Sequence, residues 1–138
     1  MNSPPIPGFE PIVPEGFNLT IGPLLARAGS KAGDADRFLI RLQPHQLNGA
    51  SMAHGGFLMS IADTMMGYTV HEVIEGQKAT TVSLNCDFVS GAPAGADVSG
   101  TVTITRRTRS LVFVTGLLHA GGKPVLSATG IWKILTPT

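Results

Sequence analysis

Apolar residues recur on nearly every side of a predicted helix in the middle of the chain, from about residue 54 to about residue 75. Gly76 follows directly, and glycine is common just past the end of a helix. A helix that is apolar all round is typically buried. The pattern therefore predicts one long central helix, whose apolar sequence is interrupted by the carboxylate of Asp63.

Apolar and polar residues alternate through most of the other segments, as they do in strands with one buried face. The alternation predicts strands over residues 24–27, 37–43, 78–90, 98–108, 110–120 and 125–135. Short turns, such as the glycine-containing residues 121–124, join the last four strands and favour an antiparallel meander. The predicted fold class is α+β, with one long central helix wrapped by a curved antiparallel sheet of five to six strands.

The 138 residues are enough for one domain with a substantial core. Residues 1–16 contain five prolines and are predicted to form an irregular arm, so that residues 17–138 make up the domain. No stretch approaches the roughly 20 apolar residues that span a bilayer, and the N-terminal residues lack the pattern of a secretory signal. We therefore expect a cytoplasmic protein.

Charged residues make up only 14% of the sequence, which is low for the surface of a small monomer and predicts an oligomer. The net charge of +1 provides no overall field that would attract nucleic acid or a membrane surface. The single cysteine, Cys86, excludes an internal disulfide and fits a reducing compartment. No spacing of cysteines or histidines indicates a metal site, and no cofactor is expected.

His54, Gly55 and Gly56 stand at the start of the predicted helix, where backbone N–H groups lack intrahelical acceptors. Such a helix start favours an anion, or an oxygen that gains negative charge. The same residues also fit a structural role, with His54 as a cap and the glycines permitting a tight turn. The sequence pattern does not decide between these interpretations.

Asp63 lies seven residues after Gly56, about 10 Å further along the axis and on roughly the same side of the helix. A buried carboxylate is costly, so Asp63 is expected either to pair, for instance with Arg106 or Arg107, or to take part in chemistry. Because about 10 Å is too far for Gly56 and Asp63 to hold one small group together, joint action requires two chains. This reasoning places a site at a dimer interface.

The segment LNGASMAHGGFLMSIADTMMG, residues 47–67, resembles the hotdog-fold acyl-CoA thioesterases, specifically the phenylacetate-degradation type. The shared pattern is an asparagine in the preceding loop, His-Gly-Gly at the helix start and Ala-Asp-Thr within the helix. Residues 21–25 and the strand segments between 106 and 135 also resemble this family. The resemblance covers most of the chain beyond the proline-rich arm.

The resemblance implies an enzyme that hydrolyses acyl-CoA to free acid and CoA without a metal. It implies hotdog dimers, usually paired into homotetramers, with active sites at the interface. It also implies that the N–H of Gly56 polarises the thioester carbonyl, while Asp63 of the facing chain acts as general base or as nucleophile.

Further site residues follow from the same resemblance. Asn48 and His54 would hold the carbonyl, the water or the loop. Ser83 would help to position the attacking water, although Thr81 and Asn85 are predicted to share its strand face.

The acyl group is expected to be medium-chain or aryl. The predicted lining is rich in methionines, which adapt to many shapes and indicate tolerance rather than one substrate. The residues predicted to contact the substrate are Gly55, Met52, Phe57, Met59, Met66 and Tyr68. Arg106, Arg107 and Arg109 are candidates for the CoA phosphates, although a solvated turn explains this basic cluster nearly as well.

Two other functions remain open. A non-catalytic module that binds or senses acyl-CoA would not need Asp63. An acyl-thioester dehydratase-like hotdog enzyme would need a histidine acting with a carboxylate placed differently. Release of thiol from a panel of acyl-CoAs, with and without Asp63, distinguishes these possibilities.

Overall fold

The computed structural model describes residues 6–135, so the first five residues of the predicted arm lie outside the described residues. The elements are β1 (Phe9–Pro11), α1 (Asn18–Ile21), β2 (Leu25–Arg27), β3 (Phe38–Arg41), a 3-10 turn (Pro44–Gln46), α2 (Gly55–Val73), β4 (Lys78–Phe88), β5 (Asp97–Arg107), β6 (Leu111–Ala120) and β7 (Lys123–Leu135). The predicted long helix and the six predicted strands are therefore present.

The strands form one antiparallel sheet in the order β1-β2-β3-β5-β6-β7-β4. The sheet has seven strands rather than the expected five to six. The additional strand, β1, lies within the predicted irregular arm and pairs with β2 at the edge of the sheet. Pro11 is tolerated there because an edge strand does not need every backbone N–H for the ladder.

The sheet packs one face against α2. The helix residues that fill this interface are fully buried, and among them are Ile61, Met65 and Met66. Glycines in the facing strands make room for the methionines, because a Cβ on Gly116 would lie 2.8 Å from the Met66 sulfur. Among residues 6–135, no helix is long and apolar enough to cross a membrane.

The prediction that α2 is buried on all sides is wrong. Ser60, Asp63, Thr64 and Gly67 are only partly buried, and His71 is exposed. These positions recur every three or four residues, so they form one stripe along the helix. Because the sheet covers only the opposite side of α2, this stripe of small and polar residues remains accessible within one chain.

A β-bulge changes the predicted faces of β4. Thr81 pairs with Trp132 and Ser83 pairs with Ile131, so Val82 is an extra residue in β4. An extra residue reverses the alternation beyond it. Thr81 therefore faces α2, whereas Ser83 lies on the outer face of the sheet, contrary to the prediction that they share a face.

Candidate active site

Asp63 and Thr81 meet between the open stripe of α2 and strand β4. Thr81 Oγ1 donates a hydrogen bond of 2.8 Å to Asp63 Oδ1. Both side chains are half-buried. Within residues 6–135, the carboxylate makes no ion pair and no other side-chain hydrogen bond. The hydroxyl thus fixes one oxygen of Asp63 and leaves the other without a protein partner.

A cleft of about 510 Å³ opens above this pair, and we call it the Asp63 cleft. Three parts of the chain form its walls: the open stripe of α2, the beginning of β4, and the segment that leads into α1. The lining residues are Val13, Glu15, Asn18, Asp63, Thr64, Gly67, Tyr68, His71, Ala79, Thr80, Thr81 and Trp132. The cleft therefore combines apolar walls with a carboxylate that is accessible to solvent.

Cys86, a free and partly buried cysteine on β4, is close enough to Asp63 to feel its charge. Burial raises the pKa of the Cys86 thiol, and the negative charges of Asp87 and Asp63 raise it further. The thiolate is the nucleophilic form of cysteine, so both effects disfavour the nucleophilic form of Cys86.

A second cleft, of about 410 Å³, lies at the start of α2, and we call it the His54 cleft. It is lined by Phe17, Thr20, Ile21, His45, Gln46, Leu47, His54, Gly56, Phe57 and Ser60. No residue lines both the His54 cleft and the Asp63 cleft. One chain therefore presents the helix start and the carboxylate in separate clefts, in agreement with their separation of about 10 Å along the axis.

The N–H of Gly56 is not free in this structure. It donates to Nδ1 of His54 over 2.9 Å, so His54 is the N-cap of α2. Because Nδ1 accepts a hydrogen bond, the neutral imidazole carries its proton on Nε2. The N–H groups of Gly55 and Phe57 have no acceptor among residues 6–135. His54 thus caps the helix, as the structural interpretation of the sequence predicts. Its side chain is also exposed to the cleft, as a role towards a ligand requires.

Asn48 shapes the loop before α2. Its Oδ1 accepts hydrogen bonds from the N–H groups of Ala50, at 2.8 Å, and of Met52, at 3.2 Å. The N–H of His54 donates to the carbonyl of Gln46 over 2.9 Å and ties the end of the loop to the 3-10 turn. Asn48 thus holds the loop through two backbone contacts, and its role towards the carbonyl or the water stays a prediction.

A family model described as the thioesterase superfamily matches residues 50–126, which include the His-Gly-Gly helix start and the Asp63–Thr81 pair. The chain belongs to the thioesterase superfamily.

Individual relatives agree with this membership. A Pseudomonas aeruginosa protein, provisionally named an esterase, is 30% identical over 132 residues, which are 92% of this chain and 95% of that protein. A structure of a phenylacetic acid degradation-related protein from Ralstonia eutropha, provisionally named a thioesterase, is 28% identical, with a TM-score of 0.67 over 70% of this chain and 74% of that chain. A Bacillus halodurans structure with CoA is 26% identical, with a TM-score of 0.67 over 71% of this chain and 70% of that chain. The predicted resemblance, hotdog fold and thioester hydrolase class are confirmed.

The structure places one predicted catalytic residue of this thioesterase away from the others. Ser83 lines a groove on the outer face of the sheet, together with Asn85 and Ile131. The bulge at Val82 is the reason, and it makes Thr81 the hydroxyl that contacts Asp63. Strict alternation along the strand could not separate the two residues, because the sequence around Val82 continues to look regular.

Two of the predicted substrate contacts line the clefts. Phe57 borders the His54 cleft, and Tyr68 borders the Asp63 cleft. The ring of Tyr68 is fixed by an edge-to-face contact with Phe38, at 6.1 Å between ring centroids. The guanidinium of Arg37 lies 5.5 Å from the Tyr68 ring and pairs with Glu72 on the next turn of α2. These contacts with Phe38 and Arg37 consequently fix the ring of Tyr68, and with it this part of the cleft wall.

The other predicted substrate contacts lie elsewhere. Met66 is fully buried in the core, so it cannot line an open cleft of this chain. Met52 and Met59 are exposed at 37% and 36%, and neither borders the two clefts. Gly55 packs towards β4, since a Cβ there would lie 3.3 Å from the ring of Phe88. The described lining of these two clefts in one chain is therefore not rich in methionine.

The basic cluster lies at the opposite end of α2 from the helix start. Arg107 donates a hydrogen bond of 2.6 Å to the carbonyl of Val73, the last residue of the helix, so it satisfies a helix end rather than pairing with Asp63. Arg106 and Arg109 are exposed. Their role towards CoA phosphates stays a prediction.

No group of three or more histidine, cysteine, aspartate or glutamate side chains within the described part of the chain is arranged to hold a metal ion. The expected independence from any cofactor stays a prediction. What the site offers from its own residues is a carboxylate, a hydroxyl that orients it, and a capped helix start.

Proposed function

We propose that this thioesterase hydrolyses acyl-CoA with medium-chain or aryl acyl groups, in a homodimer whose active sites combine Asp63 of one chain with the helix start of the other. The observation that carries the proposal is the hydrogen bond between Thr81 and Asp63 at the Asp63 cleft. Asp63 forms no ion pair with Arg106 or Arg107, so the alternative in which this carboxylate serves only to pair with one of these arginines has no support.

The chemistry needs only groups that the chain supplies. A water molecule attacks the thioester carbonyl and gives a proton to the free oxygen of Asp63, while Thr81 holds the other oxygen. The tetrahedral intermediate then expels CoA thiolate, which receives the proton, and the products are the free acid and CoA. The competing pathway makes Asp63 the nucleophile, with an anhydride that water cleaves.

The helix start supplies the electrophilic half of the proposed site. The thioester oxygen replaces Nδ1 of His54 as acceptor of the Gly56 N–H, which lies in the positive first turn of α2. A rotation of the exposed His54 side chain is sufficient for this exchange. Asn48 keeps the preceding loop in place through its two backbone contacts.

The edge of the sheet supports the dimer. β4 is the last strand of the sheet and leaves one side unpaired, although it is 11 residues long. Val82 and Phe88 on this strand are 53% and 52% exposed. Long exposed apolar edges are avoided in monomers, so a second copy is the proposed cover. The family resemblance extends the proposal to a homotetramer of two such dimers.

The decisive experiment measures thiol release from a panel of acyl-CoAs with a thiol reagent. We expect turnover of medium-chain or aryl acyl-CoAs, and a loss of at least about 100-fold in kcat for Asp63→Asn, as for removal of a general base. Binding of acyl-CoA without release of thiol would favour the binding module. A dehydratase-like activity would release no thiol and would instead change the acyl group.

A single turnover in water labelled with ¹⁸O, at enzyme in excess over acyl-CoA, tests for the nucleophilic pathway. If water attacks the aspartyl carbon of the anhydride, the label enters Asp63 and the product acid is unlabelled. General-base catalysis, like attack of water on the acyl carbon of the anhydride, places the label in the product acid, so label in the enzyme is the result that identifies a nucleophilic Asp63.

A further inference from the structure

A short N-terminal segment forms part of both clefts, although it lies outside the region that the family model matches. Its residues Val13, Glu15 and Asn18 line the Asp63 cleft. The segment is anchored on both sides. Thr64 of α2 donates a hydrogen bond of 3.2 Å to the side chain of Asn18, and the buried side chain of Gln46 donates one of 2.9 Å to the carbonyl of Ile21. These bonds hold the segment against α2 and the 3-10 turn just after Glu15, whose own side chain is exposed at the cleft.

The charges that face the Asp63 cleft are predominantly negative. The carboxylates of Asp63 and Glu15 line it, and no lysine or arginine is among its described lining residues. The remaining titratable groups are Tyr68 and His71. Nδ1 of His71 lies 2.8 Å from the carbonyl of Gly67, and because a carbonyl only accepts, this nitrogen donates to it.

The cleft runs along α2 from Asp63 to His71, a distance of about 12 Å for eight residues of helix. A thioester carbonyl held near Asp63 would thus direct its acyl group along this wall, with the N-terminal segment opposite. A terminal carboxylate on the acyl group would enter a space that already holds two negative side chains.

We infer that Glu15 is a specificity-determining residue that excludes acyl groups ending in a carboxylate. The inference rests on the proposed function, because it requires the acyl group to occupy the Asp63 cleft. Glu15 does not touch the reacting atoms. It acts through repulsion of an anionic acyl end, whereas an uncharged chain of the same length meets only the apolar parts of the same wall.

The test compares hexanoyl-CoA with adipoyl-CoA, which has the same number of acyl carbons and ends in a carboxylate. We expect the wild type to prefer hexanoyl-CoA in kcat/KM. Glu15→Gln should raise the ratio of kcat/KM for adipoyl-CoA to that for hexanoyl-CoA about fivefold, as expected for two charges about 8 Å apart at an effective dielectric constant of about 40. Glu15→Lys, which replaces repulsion by attraction, should improve adipoyl-CoA about thirtyfold by the same arithmetic.

Glu10→Gln is the matched control. Glu10 lies in β1, a few residues before Glu15, and lines a different polar cleft. Its substitution changes the net charge of the protein by the same amount without changing the Asp63 cleft. If Glu10→Gln improves adipoyl-CoA as much as Glu15→Gln does, or if Glu15→Lys leaves the ratio of the two substrates unchanged, the inference is overturned.

A binding measurement separates this inference from the proposed hydrolysis. Two non-hydrolysable CoA thioethers, one ending in a methyl group and one in a carboxylate, are titrated calorimetrically into each variant. A Glu15-dependent preference for the uncharged thioether, together with no thiol release from either acyl-CoA, would support the specificity role and refute the hydrolase. Equal affinities in every variant, together with normal turnover, would refute only the role of Glu15.

Discussion

Removal of the Thr81 hydroxyl is expected to slow hydrolysis without unfolding the protein. Thr81→Val keeps the shape of the side chain and deletes the donor that lies 2.8 Å from Asp63 Oδ1. A hydrogen bond to a charged group contributes about 1.5 to 3 kcal/mol, which corresponds to about 10- to 150-fold in rate. Because both side chains are half-buried rather than enclosed, we expect a loss of kcat near the lower limit, about tenfold.

The assay is thiol release at saturating acyl-CoA, with thermal unfolding of each variant to show that the fold is intact. Thr81→Ser restores the donor and should retain most of the wild-type rate. Ser83→Ala is the matched control, since Ser83 is two residues further along β4 but lies on the outer face of the sheet. A rate for Thr81→Val within twofold of wild type, or an equal loss in Ser83→Ala, would refute the assignment of the positioning hydroxyl to Thr81.

Two further predictions concern the two ends of α2. His54→Ala removes the N-cap and should lower the free energy of unfolding by about 1 kcal/mol, whereas His54→Asn keeps a capping acceptor and should lower it less. Urea denaturation measures both variants, and an equal stability of His54→Ala and wild type would contradict the capping role. Arg107→Ala removes the hydrogen bond to the last helix carbonyl and should lower the free energy of unfolding by about 0.5 to 1 kcal/mol, with KM for acyl-CoA unchanged. A raised KM at unchanged stability would show that Arg107 binds the CoA phosphates instead.

The long elements could be predicted from sequence because their patterns are strong and extend over many residues. The helix begins at Gly55 and ends at Val73, within two residues of the predicted ends. The last hairpin turn was also foreseeable, since Gly121 and Gly122 both have a positive φ, at 57° and 79°. Short elements such as β1 and α1 have no comparable signal, because three or four residues hold their shape only through contacts made elsewhere in the chain.

Individual residues of the candidate site could be predicted from the sequence, but the hydrogen bonds between them could not. Asp63 was singled out because a carboxylate is unusual on an apolar helix, and the structure leaves it accessible. Its partner was missed, because a bulge of one residue at Val82 exchanges the faces of Thr81 and Ser83 without any mark in the alternation. Spacing alone leaves the capping of α2 by His54 as one of two alternatives, because it does not determine the rotamer of one exposed side chain.

Strand β4 connects the proposed assembly with the proposed chemistry. It is the unpaired edge of the sheet, it exposes Val82 and Phe88, and it carries the hydroxyl of Thr81. In the proposed dimer, the pairing that covers this edge also fixes the strand that orients Asp63. The separation of the helix start from the carboxylate within one chain leads to the same conclusion, since neither cleft contains both groups. A monomer would therefore have an exposed apolar edge and two incomplete half-sites, and association removes both defects at once.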